Sequence, residues 1–260
     1  MSFLKGRVRL GIPAALAVLT AVAVVVDVAT FSLETVSPRD ARDRASEDSA
    51  TPPETAPGDV DCRQAKCLAL TFDGNPGEPT DRLLDLLDQY GAPSTFFLEG
   101  RKIHEHPEVV RRIADEGHEL GNHTWTHARL TEISDARVRD ELNRTGEAIT
   151  GLTGRRPTLM RPPEGRTDDR VSRVTEELGL AQILWTVTAK DYRTTDSALI
   201  TERVLDGADR DGIILLHPLR KGTVPAMPRI LRELTARGYS FVTVSQLLRP
   251  ATAQPGKIYR

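Results

Sequence analysis

The chain has 260 residues, 39% of them hydrophobic and 28% charged, with a formal charge of -2. That length holds one large domain or two small ones with a sizeable core. The near-neutral balance, with no basic stripe interleaved with aromatics, excludes an electrostatic case for nucleic-acid binding.

Lys5, Arg7 and Arg9 precede an apolar run over 10–26. A positive flank followed by an apolar run is the pattern of an export segment. At about 1.5 Å per residue in a helix, such a run nearly matches the ~30 Å hydrocarbon core of a bilayer. No small-x-small cleavage site stands out, since Asp27 lies three positions before a cut after Ala29. Residues 1–35 are therefore expected to be a retained signal-anchor, positive end inside, or else a cleaved signal peptide. Either places the rest of the chain outside the cytoplasm, and the first also ties it to a membrane. Residues 36–61 are rich in Pro, Ser, Asp, Glu and Arg and carry three Arg against seven Asp or Glu. That composition predicts a disordered acidic spacer. Cys62 and Cys67 are the two cysteines of the chain. In an exported protein, with no other metal-ligating residues close in sequence, they are expected to form a disulfide at the start of the domain.

The folded domain is expected over 62–250, with 251–260 as a tail. An apolar run at 68–72 ends at Asp73 and breaks into Gly74-Asn75-Pro76-Gly77, which predicts a buried strand with a carboxylate at its C-terminal tip. Helical patterns follow at 79–90, 107–116, 135–152, 168–178, 197–206 and 225–237, with a last helical turn at 245–248. Strand patterns at 94–98, 118–122, 158–160, 181–187, 212–216 and 239–244 fall between them. Strands alternating with helices predict parallel strands and crossover helices. About seven such units imply a barrel smaller than the eight-fold one, with a doubly wound sheet as the alternative.

The polar residues gather where strands end. Asp73, His123, His127, Arg161, Asp191 and His217 all follow predicted strands, and chemistry in α/β folds concentrates at that rim. His123 and His127, four apart at a strand-to-helix corner, suit a divalent cation such as zinc. Arg161, fixed before two prolines, is placed to pair with Asp73 and keep it ionised as a general base. His217 suits a general acid whose ring Asp191 holds. Together these describe hydrolysis of an ester or amide.

Five segments in order now carry a resemblance. They are Thr71-Phe72-Asp73 through Thr80; His123-Thr124-Trp125-Thr126-His127; Arg161-Pro162-Pro163-x-Gly165; Asp191-Tyr192 after Trp185; and Leu215-Leu216-His217. The chain from Cys67 to Leu248 resembles the polysaccharide deacetylases, the carbohydrate esterases with a NodB-homology domain. The resemblance implies a distorted (β/α)7 barrel and metal-dependent removal of acetyl groups from a polysaccharide such as peptidoglycan or chitin, or sometimes from O-acetylated sugars. It also implies Asp73 as base, Arg161 as its orienting partner, His123 and His127 as metal ligands, His217 as acid with Asp191 as partner, and an oxyanion contact from the backbone N–H near Glu164.

The chain departs from that pattern at the position after the base. Gly74 stands where a second Asp normally supplies the third metal ligand, Glu164 where an aromatic is usual, Thr188 and Tyr192 in the fourth motif, and Pro218 after the acid. Asn75, Glu164 or a turned Asp73 could take the third place. The alternative implied by Gly74 is a deacetylase-like protein that binds glycan or regulates, with catalysis weakened or lost.

Overall fold

The computed structural model of the chain describes residues 33–47 and 60–260. The anchor or signal segment expected within 1–35 lies outside the described residues except for its last three. No helix among the described residues is long and apolar enough to cross a membrane.

Among the described residues ten strands form one parallel sheet: β1 (Thr35–Val36), β2 (Lys66–Asn75), β3 (Thr95–Leu98), β4 (Glu119–Asn122), β5 (Leu159–Met160), β6 (Ala181–Ile183), β7 (Val187–Thr188), β8 (Gly212–Leu216), β9 (Tyr239–Phe241) and β10 (Ile258–Tyr259). Their order is β1-β10-β6-β5-β4-β3-β2-β8-β7, with β9 also on β2. The sheet curls into the distorted (β/α) barrel expected from the sequence, and helices connect most of the strands. β2 is the hub. It pairs with β8 over Leu68 to Phe72, with β9 at its start and with β3 over its C-terminal half. A strand with neighbours on both edges and both faces covered must be apolar nearly throughout, and Cys67, Leu68, Ala69, Leu70 and Phe72 are fully buried.

The expected single strand at 181–187 is two strands. β6 pairs with β5, while β7 pairs with β8. The register breaks between them, so the barrel does not close there. β10 lies against the free edge of β6, and β1 lies against β10. These additions satisfy main-chain groups that an open edge would leave unpaired.

This corrects the domain boundaries. Residues 251–260 are no tail, since β10 is an interior strand of the sheet. Nor is 36–61 a spacer throughout: Pro38–Glu47 is an α-helix docked on the barrel. Composition misled because polar contacts dock this helix as much as apolar ones. Arg42 is 2% exposed, reaches Asp211 at 2.8 Å and donates to the carbonyl of Leu247 at 2.6 Å. Residues 48–59 lie outside the described residues. Cys62 and Cys67 are bonded to each other, as expected, and tie the turn at 61–65 to the start of β2.

Removing one partner of a buried pair leaves the other charge uncompensated. Arg42→Met is therefore expected to lower the unfolding free energy by about 3–5 kcal/mol. Urea denaturation of the full chain checks this, and an unchanged midpoint would show that the helix is not part of the cooperative unit.

Candidate active site

The C-terminal ends of β2, β4 and β8 converge on a cleft of about 480 Å³, whose lining includes Asp73, Gly74, Glu99, Lys102, His123, His127 and His217. A second cavity of about 290 Å³ lies at the other end of the barrel, beside the N-terminal ends of β4 and β5, and holds none of the residues singled out for chemistry.

Asp73 ends the apolar part of β2 and is 3% exposed. Its Oδ1 accepts from the Arg161 guanidinium at 2.7 Å. Arg161 follows β5 and is fully buried, its guanidinium 4.2 Å from the ring centre of Phe97. It also donates to Thr71 Oγ1 at 2.8 Å, to the carbonyl of Ile183 at 2.9 Å and to that of Leu184 at 3.1 Å. Burial alone would raise the Asp73 pKa. The charge of Arg161, then those of His123 and His217, and the Arg161 hydrogen bond outweigh it and hold the carboxyl below its ordinary range.

His123 is 2% exposed. Its Nδ1 lies 2.8 Å from the carbonyl of Arg161. A carbonyl only accepts, so Nδ1 carries the proton and the Nε2 lone pair is free. That Nε2 is 3.8 Å from Asp73 Oδ2. Burial depresses the His123 pKa to about 4, with the Asp73 carboxylate opposing the shift. The ring is thus neutral at pH 7, the form a metal requires. The His127 ring stands edge-on, its centre 4.9 Å away.

The loop carrying these histidines is strained. Thr124 (φ 62°) and His127 (φ 60°) both lie in the left-handed region. Asn122 Oδ1 accepts from Thr124 N at 2.9 Å, and the fully buried Glu141 accepts from Thr126 N at 2.7 Å and Thr126 Oγ1 at 2.9 Å. Gly100 lets the loop approach closely, since a Cβ there would sit 2.4 Å from Thr145 Oγ1 and 2.5 Å from Trp125.

Across the cleft, His217 follows β8. Asp191 accepts from its Nδ1 at 2.8 Å and from its backbone N–H at 2.6 Å, and Thr223 donates to the same carboxylate at 2.7 Å. Asp191 is 1% exposed, so the imidazole is held by a rigid partner, with Nε2 left unengaged by it. Tyr192, 45% exposed, stands edge-on to the His217 ring. An ionised carboxylate and an anchored imidazole around one cleft can accept and donate protons.

The six residues read from strand ends therefore assemble as one site. Of the three candidates for a third ligand, Asp73 is in the site, its Oδ2 3.8 Å from His123 Nε2, whereas Asn75 and Glu164 do not join it. Asn75 is fully buried, its Oδ1 taking the Thr80 hydroxyl at 3.1 Å and its amide donating to the carbonyl of Phe72. Glu164 is engaged by Arg129 at 3.1 Å and Arg166 at 2.9 Å. Among the described residues no group of three His, Cys, Asp or Glu side chains is gathered to hold a metal. The neutral His123 and its neighbour His127 fit a divalent cation as a two-imidazole site, short of a full set. Sequence reasoning missed Thr71, Glu99, Lys102, Glu141 and Thr223. Of these, only Thr71 lay within a motif that had drawn notice.

Residues 61–183 match the family model described as polysaccharide deacetylase. A peptidoglycan-N-acetylglucosamine deacetylase of Bacillus cereus is 37% identical over 190 residues, covering 71% of this chain and 89% of the relative. The peptidoglycan-N-acetylglucosamine deacetylase PgdA of Listeria monocytogenes is 37% identical over 70% of this chain, which spans 39% of that relative's length. The structure of T48 deacetylase with substrate superposes with a TM-score of 0.74 at 36% identity, covering 77% of this chain and 100% of the other. A mutant of a CE4 family pseudoenzyme with restored enzymatic activity superposes at 0.68 and 30% identity, covering 71% and 68% of the two chains.

His123 is expected to stay neutral until about pH 4 rather than titrate near 6.5. Asp73→Asn removes the charge that favours the imidazolium and should lower that midpoint further. NMR titration of the ring nitrogens checks both the midpoint and the Nδ1–H tautomer.

Proposed function

Because the chain belongs to the polysaccharide deacetylase family, we propose that it hydrolyses acetyl groups from an N-acetylated, or O-acetylated, polysaccharide such as peptidoglycan or a chitin-like glycan. The observation that carries this reading is the placement of Asp73 and His217 around one cleft, each fixed by its own buried partner. Asp73 takes a proton from the attacking water. Arg161 serves that step by keeping the carboxylate ionised. His217 gives a proton from Nε2 to the departing amine or alkoxide, while Asp191, bound to Nδ1–H, holds the ring in that orientation. The backbone N–H near Glu164, in the turn Pro163–Gly165, is the group we assign to the developing oxyanion. Exposed Tyr192, beside the acid, offers a face on which a sugar ring can rest.

Zinc suits the two imidazoles. Held by His123 and His127, it would supply Lewis acidity at the acetyl carbonyl. Two neutral ligands bind it more weakly than two with a carboxylate, so metal dependence here is that of a weak site. We place the protein outside the cytoplasm, anchored or secreted, on the apolar run at 10–26 and the bonded cysteines.

Gly74 favours a second reading, a glycan-binding or regulatory protein that keeps the barrel. Acetate release separates the two. Incubation with N-acetylglucosamine oligomers and with peptidoglycan should liberate acetate, and Asp73→Asn or His217→Ala should each slow it by roughly 10²–10⁴. Glycan binding with no acetate release at any metal concentration would favour the second reading.

A further inference from the structure

We propose that Lys102 sets the affinity of the cleft for a divalent cation, its ammonium opposing an ion at His123 and His127. The proposal rests on the reading above that these two histidines are where such an ion sits.

Lys102 lies in the short helix Gly100–Ile103 that follows β3, yet its side chain turns into the cleft. Its Nζ donates to the carbonyl of Gly74 at 3.0 Å and pairs with Glu99 Oε2 at 2.8 Å. The side chain is 24% exposed, so the ammonium is held rather than free in solvent. Glu99 is itself 3% exposed and also takes Arg101. Two cations thus meet one carboxylate on this wall, and the surplus charge is positive. Asp73, the nearby carboxylate, is already matched by Arg161. A divalent ion entering the cleft meets this surplus where water is partly excluded and charges act strongly.

Lys102 also decides what a carboxylate at position 74 would do. A Cβ on Gly74 meets nothing within 4 Å, so there is room for a side chain. The backbone is at φ +78°, a region that Asp tolerates better than most residues. An ammonium already hydrogen-bonded to that residue's own carbonyl is a ready partner for the new carboxylate. Gly74→Asp alone therefore makes an ion pair with Lys102 in place of a full metal ligand. Only removal of the ammonium frees that carboxylate for a cation.

Zinc affinity, measured by calorimetry on the full chain, tests this independently of acetate release. The proteins compared are the wild type, Lys102→Arg, Lys102→Met, Gly74→Asp and the Gly74→Asp/Lys102→Met double variant. Lys102→Met should tighten zinc binding by roughly 10–100-fold, the scale on which groups around the ligands tune a metal. Lys102→Arg, which keeps the charge, should stay near the wild type. The double variant should bind more tightly than the product of the single effects. Equal affinity of Gly74→Asp and the double variant would overturn the proposal, as would a Lys102→Met protein that binds zinc no better than the wild type. Should Gly74→Asp fail to fold, the comparison of Lys102→Met with Lys102→Arg decides alone. Zinc binding that survives His123→Ala would instead overturn the two-histidine reading, and the proposal with it.

Discussion

A buried guanidinium is stable only when its N–H donors find partners, and at Arg161 that requirement sets the geometry of the site. Thr71 and Asp73 from β2 accept from it, and so do the carbonyls of Ile183 and Leu184 at the end of β6. Its own carbonyl accepts from His123, and its backbone N–H donates to the carbonyl of Asn122. One residue thereby ties the C-terminal ends of β2, β4, β5 and β6 together. A shift of any of these strands would leave a donor unpaired away from water. The same contacts fix the charge of Asp73 and the tautomer of His123, so fold and site chemistry share one constraint.

His217 depends on a separate arrangement. Asp191 lies in the short turn Asp191–Arg193, beyond the break that separates β6 from β7. The break lets the chain leave the line of β6, pair with β8 through β7, and bring Asp191 beneath His217. Thr223, at the start of the helix Thr223–Ala236, adds a third donor to the same carboxylate. The interruption that prevents the barrel from closing is also what places Asp191 against His217.

Most of this was legible because its signals are local. The apolar run before Asp73 reads as a buried strand, and Pro107 and Asp135 start the helices Pro107–Asp115 and Asp135–Thr153. The strand-end rule then collected the six polar residues of the site. What escaped was docked by distant polar contacts. The helix Pro38–Glu47 has a charged composition suited to a spacer and owes its place partly to Arg42 meeting Asp211, 169 positions on by residue number. β10 is two residues long, and no periodicity shows in two residues. Lys102 looks like a surface lysine in sequence, since nothing near it signals that Gly74 has left a carbonyl open to it.

The two halves of the site differ in how far they tolerate loss. Asp73 and His217 sit in networks where each partner is buried, and removing one strands another charge or donor. Position 74 is not so bound. It has open space around its Cα and a backbone conformation that glycine enters without strain. A carboxylate can be absent there while β2, Arg161 and the histidine loop keep their contacts, because that loop is held by hydrogen bonds to Asn122 and Glu141. The side chain at position 74 is therefore what this scaffold can change with least cost to its fold. Asp73 and His217, each held by a buried partner, beside an open position 74 are what such a structure permits.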